Sequence, residues 1–213
     1  YQPNDRRRAL PEAPSRAALG LPEDAVVLCC FNQTYKMSPH LLDLWARILA
    51  GAPRAVLWML AWNPSAQANL GRELAARGVD PARVCWAPTL HLDEHLARLR
   101  QADLFLDTWP CNAHTTASDA LWMGLPVITR VGRQFASRVA ASLLAASGLP
   151  QLIAADLAEY ERKALALARD PAEDGGRYMG AALLRCVVCE REYEGEDMAG
   201  CPAYGGPICS LCC

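Results

Sequence analysis

The chain has 213 residues, room for one full domain at ~150 residues per domain plus a small appendage. Lys and Arg number 21 against 23 Asp and Glu, a net charge of −2. That balance lacks the basic excess by which nucleic-acid binders neutralise phosphates, and it does not make a polybasic membrane anchor. Hydrophobic residues make up 52% and charged residues 21%, which supports a buried core and excludes wholesale disorder. The longest apolar runs, such as Ala55 to Trp62, fall far short of the roughly 18 residues of a membrane span. No charged start followed by an apolar stretch and a small-residue cleavage site is present, so no secretory signal is read. The chain opens on Tyr1 and stops on Cys212-Cys213, and we expect a piece of a longer protein.

Taken in order, strands and helices alternate. Ala25 to Phe31 is a short apolar run that reads as a buried strand. Ser38-Pro39 then opens a helix, Ser as N-cap and Pro in the first turn. Its apolar positions Leu41, Leu44, Trp45, Ile48 and Leu49 keep helical spacing until Gly51 and Pro53. A strand over Ala55 to Trp62 follows, then a helix from Pro64 to Arg77 closed by Gly78. Val84 to Trp86 is a short strand, Asp93 to Arg100 a helix and Ala102 to Asp107 a strand. Thr116 to Met123 is a helix ended by Gly124, with Thr116 and Asp119 spaced as a small capping box. The strand Leu125 to Thr129, the helix Phe135 to Ala146 and a long helix from Asp156 to Arg169 complete the series. This alternation predicts βαβ units and a parallel sheet. No repeat of solenoid length stands out.

Ligands of such sheets bind beyond the carboxyl ends of the strands, so the polar loops there carry the functional signal. After the first strand comes Asn32-Gln33-Thr34-Tyr35-Lys36, and after Asp107 comes Thr108 to Thr116, which runs straight into a helix. A helix start offers free N–H groups and a positive dipole end, suited to a diphosphate. Lys36 adds a full charge, and His114 and the Thr hydroxyls add donors. The pattern points to an anionic, nucleotide-linked ligand. The same residues also fit a bland reading of cap, loop histidine and solvated lysine.

These motifs carry a resemblance. YQPNDRRRAL, CCFNQTYKMSP, ADLFLDTWPCNAHTTASDALWMGLPVIT and FASRVAASLL, over about residues 1–170, resemble the C-terminal catalytic half of the O-linked N-acetylglucosamine transferase family. The resemblance implies an α/β, Rossmann-like parallel sheet, the C-terminal domain of a GT-B glycosyltransferase, over residues 1–171. It implies UDP-N-acetylglucosamine as donor and protein Ser or Thr hydroxyls as acceptors, with inversion at the anomeric carbon and no metal needed for transfer. By the same resemblance Gln33 and Lys36 face the diphosphate, with Lys36 stabilising the leaving group. His114, Thr115 and Thr116 form the phosphate-binding helix start. Asp119 lies near the ribose, and His95 lies against the uridine with Arg98 nearby. The partners implied are an amino-terminal catalytic domain with tetratricopeptide repeats, absent from this stretch, and protein acceptors. No nucleic-acid or membrane partner is expected, and the location is cytoplasmic. Where the family commonly reads Pro-Gly-Glu-Thr, this chain has Val131-Gly132-Arg133-Gln134. A half-cleft orients only one reactant, so little or no transfer is expected from this stretch alone.

The cysteines divide the chain. Cys29, Cys30, Cys85 and Cys111 lie among apolar neighbours and read as packed thiols, while the other six fall between Cys186 and Cys213. Residues 172–185, rich in Gly and acids at their start, read as a linker. In 186–213 the pairs Cys186-x2-Cys189 and Cys209-x2-Cys212, separated by 19 residues, have the spacing of a four-thiolate zinc site, with Cys201 and Cys213 spare. An iron–sulfur cluster or disulfides are alternatives. The tail vaguely resembles cysteine-rich segments of bacterial signalling proteins. Two other readings therefore stay open: a non-catalytic binding module with a zinc knuckle, and a GT-B enzyme using another nucleotide-sugar.

Overall fold

A computed structural model describes residues 11–169 throughout and, beyond them, the backbone of four short strands. Six parallel strands form the sheet: β1 (Val26–Cys30), β2 (Ala55–Leu60), β3 (Val84–Ala87), β4 (Leu104–Leu106), β5 (Val127–Arg130) and β6 (Ile153–Ala154). Their spatial order is β3-β2-β1-β4-β5-β6. Chain direction of travel across the sheet therefore reverses between β1 and β4, which pair from Leu28 opposite Leu104. A crevice opens at such a switch point.

The helices are α1 (Pro39–Gly51), α2 (Pro64–Ala76), α3 (Leu92–Leu99), α4 (Thr115–Trp122), α5 (Val139–Ala146) and α6 (Leu157–Arg169). Helix α1 packs on α2 and α6, while α4 packs on α3 and α5, so the sheet lies between two helical layers. Every residue of β1 and β2 is buried, which is why those strands read as continuous apolar runs and do not alternate. Phe31 and Trp58 meet edge to face, centroids 4.9 Å apart. Cys29 and Cys30 are fully buried, and burial pushes the Cys30 thiol up to about 12. They pack as small hydrophobes.

Local chemistry sets the helix ends. The Ser38 hydroxyl accepts from Leu41 N at 3.3 Å, and Asn63 Oδ1 accepts from Ala66 N at 2.8 Å ahead of Pro64. Gly78 and Gly124, at φ +82° and +76°, end α2 and α4 in the left-handed region that costs glycine nothing.

Two sequence expectations change, and one strand is additional. Thr116 is not an N-cap: α4 begins at Thr115, His114 precedes it without a side-chain cap bond, and the Thr116 hydroxyl donates to Asn32 Oδ1 at 2.6 Å. The helix expected from Phe135 starts at Val139, after a single 3-10 turn over Phe135–Ser137. Ala136 O accepts from Asn112 N and Ser137 O from Gly132 N, both at 2.7 Å, so those carbonyls serve neighbouring loops and not a helix. Strand β6 is two residues long and pairs with β5; nothing that short shows in a hydrophobic pattern.

The remaining strands are β7 (Leu183–Arg185), β8 (Glu192–Glu194), β9 (Met198–Cys201) and β10 (Gly206–Cys209). β7 pairs antiparallel with β8, and β9 with β10. β7 occupies the end of the stretch read as a linker. Among the described residues no helix is long and apolar enough to cross a membrane.

Candidate functional site

A cavity of about 430 Å³ opens at the carboxyl ends of β1 and β2. Three segments meet there. The turn after β1 brings Asn32, Gln33, Tyr35 and Lys36; the far wall is His95 and Arg98 of α3; the floor is His114, Thr115 and Thr116 at the start of α4. Seven of the eight residues singled out for the ligand from sequence thus share one cavity. Asp119, one turn into α4, is 6% exposed and is not part of the lining.

Lys36 is held in place by a bond from Nζ to the Asn112 carbonyl at 2.8 Å. That bond ties the loop after β1 to the loop after β4. Asn32, 1% exposed, makes the second tie. Its Nδ2 donates to Thr108 Oγ1 at 2.9 Å, and its Oδ1 accepts from Thr116. Its carbonyl receives Trp62 Nε1 at 3.2 Å.

Behind these loops sits Asp107, buried at the end of β4. Its Oδ1 accepts from Thr108 N at 2.7 Å and Ala113 N at 2.6 Å, and its Oδ2 accepts from Thr129 Oγ1 at 2.6 Å. Burial pushes this carboxyl up to about 7, against the pull of those three donors and of Lys36.

On the α3 wall, Arg98 is 1% exposed. It donates to Pro88 O at 2.5 Å and to His95 Nδ1 at 2.6 Å, and its Cζ lies 4.9 Å from the Phe31 ring centre. Burial lowers Arg98 to about 10, still cationic at neutral pH. Burial, and then the Arg98 charge, push His95 down to about 4, so the imidazole is neutral. The cavity therefore has a cationic, donor-rich end at Lys36 and α4, and a flatter end built of His95, Phe31 and Trp62. That is the polarity of a phosphorylated ligand with an aromatic group.

His114 borders the cavity with Nε2 3.4 Å from Ala136 O and its ring edge-on to Phe135, centroids 6.0 Å apart. Phe135 itself is 70% exposed. The loop at 131–134 is closed by Arg138, which donates to Gly132 O at 3.0 Å.

Asp107, Asn112 and Trp62 are site residues that the sequence pattern does not single out. An acid ending the apolar run at 102–107 was the available sign for the first. Of the expected metal ligands, Cys186, Cys189 and Cys212 lie outside the described residues, and Cys209 closes β10. Among the described residues no cluster of three His, Cys, Asp or Glu is placed to hold a metal.

Comparison with known proteins agrees with this fold. The profile of glycosyl transferase family 41 matches residues 8–176. A UDP-N-acetylglucosamine--peptide N-acetylglucosaminyltransferase of Caenorhabditis elegans is 42% identical over 156 residues, 73% of this chain and 14% of that protein. A probable UDP-N-acetylglucosamine--peptide N-acetylglucosaminyltransferase of Arabidopsis thaliana, SEC, is also 42% identical over 156 residues, 73% of this chain and 16% of its own length. A solved O-GlcNAc transferase variant of Thermobaculum terrenum superimposes with a TM-score of 0.71 at 34% identity, covering 83% of this chain and 34% of that one. The chain thus spans about a seventh of the curated relatives' length. Over the whole Rossmann-like region, sheet and site loops included, it belongs to glycosyl transferase family 41.

Proposed function

We propose that this chain is the donor-binding half of a protein O-GlcNAc transferase, one that takes UDP-N-acetylglucosamine and works in the cytoplasm. The observation that carries this reading is the shared cavity of Lys36, the α4 start and the His95–Arg98 pair. Gln33 and Lys36 would meet the diphosphate together with the N–H groups at His114, Thr115 and Thr116. Asp119 would serve the ribose side, and His95 and Arg98 the uracil. In the reaction a protein Ser or Thr oxygen bonds to the sugar C1 from the face opposite UDP. The C1–O bond to the diphosphate breaks, with inversion, and the hydroxyl proton leaves to a base. Negative charge grows on the departing UDP, and a fixed ammonium and helix dipole there lower the barrier without needing a divalent ion. The base and the acceptor groove are assigned to an amino-terminal catalytic domain and tetratricopeptide repeats of the longer protein.

Calorimetric titration of UDP into the purified chain tests this. Saturable binding, weakened about tenfold or more in Lys36→Ala, is expected from loss of a charge-assisted contact. No binding by a folded wild-type chain overturns the reading and favours the non-catalytic module.

For the tail we propose a structural zinc site of Cys186, Cys189, Cys209 and Cys212. Support comes from strand pairing: the first CxxC lies in the connection between the paired strands β7 and β8, and the second begins at the last residue of β10. Four thiolates would close the coordination sphere and leave no open position for catalysis. Metal analysis should find one zinc per chain, lost in Cys186→Ser/Cys189→Ser; a metal-free wild type overturns it.

A further inference from the structure

We propose that Asp107 is a positioning residue of the diphosphate site, one that makes anion binding there depend on a proton. The inference rests on the donor-site reading above. The Asp107 carboxylate gathers Thr108 N, Ala113 N and the Thr129 hydroxyl. These contacts fix both ends of the 108–113 loop, in which Asn112, next to Ala113, offers its carbonyl to Lys36 Nζ. Asp107 thus sets Lys36 without touching a ligand itself.

The arrangement of donors also accommodates a proton. Both backbone N–H groups go to Oδ1, while Oδ2 faces only the Thr129 hydroxyl among its described hydrogen-bond partners. A hydroxyl accepts as well as donates. A proton on Oδ2 therefore turns one bond around and leaves the loop bonds on Oδ1 intact. Asn in place of Asp reproduces that protonated form, with Nδ2 donating to Thr129.

The charged and titratable groups facing this carboxyl are Cys30 from β1, Lys36 from the turn after it, and Tyr160 from α6. Tyr160 OH donates to Asp107 O at 3.0 Å. Burial raises both Cys30 and Tyr160 and keeps them neutral. Lys36 is the counter-charge that remains. A diphosphate arriving at Lys36 competes with Asp107 for it and repels the carboxylate, so binding favours the protonated acid. By linkage the anion binds more tightly where Asp107 is protonated, and affinity falls as pH rises through the carboxyl's value of about 7.

The test is titration of UDP into the whole purified chain at pH 6, 7 and 8, with wild type, Asp107→Asn and Thr129→Val. Wild-type affinity should fall several-fold from pH 6 to 8 relative to Asp107→Asn. Contributions from the ligand's own phosphate are common to both proteins and cancel. Thr129→Val removes a donor to the ionised form and should move the fall to higher pH. Parallel pH profiles for wild type and Asp107→Asn, with Lys36-dependent binding intact, overturn the Asp107 assignment and leave the donor-site reading standing. Absence of UDP binding by wild type overturns both. Should Asp107→Asn not fold, an unmoved profile in Thr129→Val overturns the assignment by itself.

Discussion

Arg98 donates to Nδ1 of His95 at 2.6 Å, and because a guanidinium has no acceptor this bond fixes the imidazole as the Nε2–H tautomer. Arg98 in turn is held from below by Pro88 O and the face of Phe31. A donor N–H on a neutral ring is thereby presented on the cavity wall.

His95 is accordingly expected to stay neutral to about pH 4. Its NMR ring signals should show no titration between pH 5.5 and 8. The folded value lies below the ordinary 6.5, so the unfolded chain binds more protons between the two. This contribution to stability is complete above about pH 6.5 and is lost as pH falls toward 4. In His95→Gln, the drop in melting temperature between pH 7 and 5 should be smaller than in wild type. A His95 that titrates near 6.5 disproves the locked pair.

Asn32 joins three elements with one buried amide, so its loss should cost more than a surface change. Asn32→Ala leaves the Thr108 and Thr116 hydroxyls short of partners. The expected cost is about 1–3 kcal/mol, a fall in melting temperature of roughly 2–4 °C per kcal/mol at this chain size. Asn32→Asp is expected to be worse at pH 8 than at pH 6, because its new carboxylate would stand beside Asp107, whose Oδ1 is 3.4 Å from Asn32 Nδ2. Equal melting of wild type and Asn32→Ala would remove the amide from its place as a structural tie.

Gly132 is set by space and not by an unusual φ. A Cβ there would collide with the Ser137 hydroxyl and stand 2.6 Å from Ser137 Cβ, with Trp109 Nε1 3.5 Å away. Gly132→Ala should therefore destabilise by about 1–3 kcal/mol through overpacking, and Ser137→Gly in the same chain should recover most of that. Denaturant melts of the single and double variants measure it. An additive double variant contradicts the contact.

Much of this was legible in the sequence, for a physical reason in each case. Helix α1 shows because Ser38, Pro39 and the Leu41-to-Leu49 spacing agree with one another. β1 and β2 show because burial on both faces leaves no polar interruption. The loops show because polar residues crowd at strand ends, where Gln33, Lys36 and His114 then meet. What did not show depends on pairings remote in sequence. Thr116 looks like a cap until Asn32, 84 residues away, takes its hydroxyl. The role of Asn112 rests on a main-chain carbonyl offered to Lys36 across 76 residues, which no side-chain pattern encodes. Asp107 ends an apolar run, and only the fold reveals the donors converging on it.

The separation of donor binding from transfer gives the last prediction. Lys36, Asn32, Thr108 and Asn112 are tied by bonds internal to this chain, so the Lys36 end of the cavity forms without help. The cavity mouth, by contrast, carries Tyr35 at 80% and Leu92 at 52% exposure. Holding both reactants in register supplies a large share of an enzyme's rate, about 7–11 kcal/mol in well-oriented cases, and in the proposed reading these residues fix only the UDP side. The purified chain should therefore bind UDP in a Lys36-dependent way while transferring little or no sugar to a protein acceptor, measured with radiolabelled UDP-N-acetylglucosamine. Turnover by the chain alone, abolished in Lys36→Ala, would mean that the base and acceptor groove lie within these residues, and that assigning them to the rest of the longer protein is wrong.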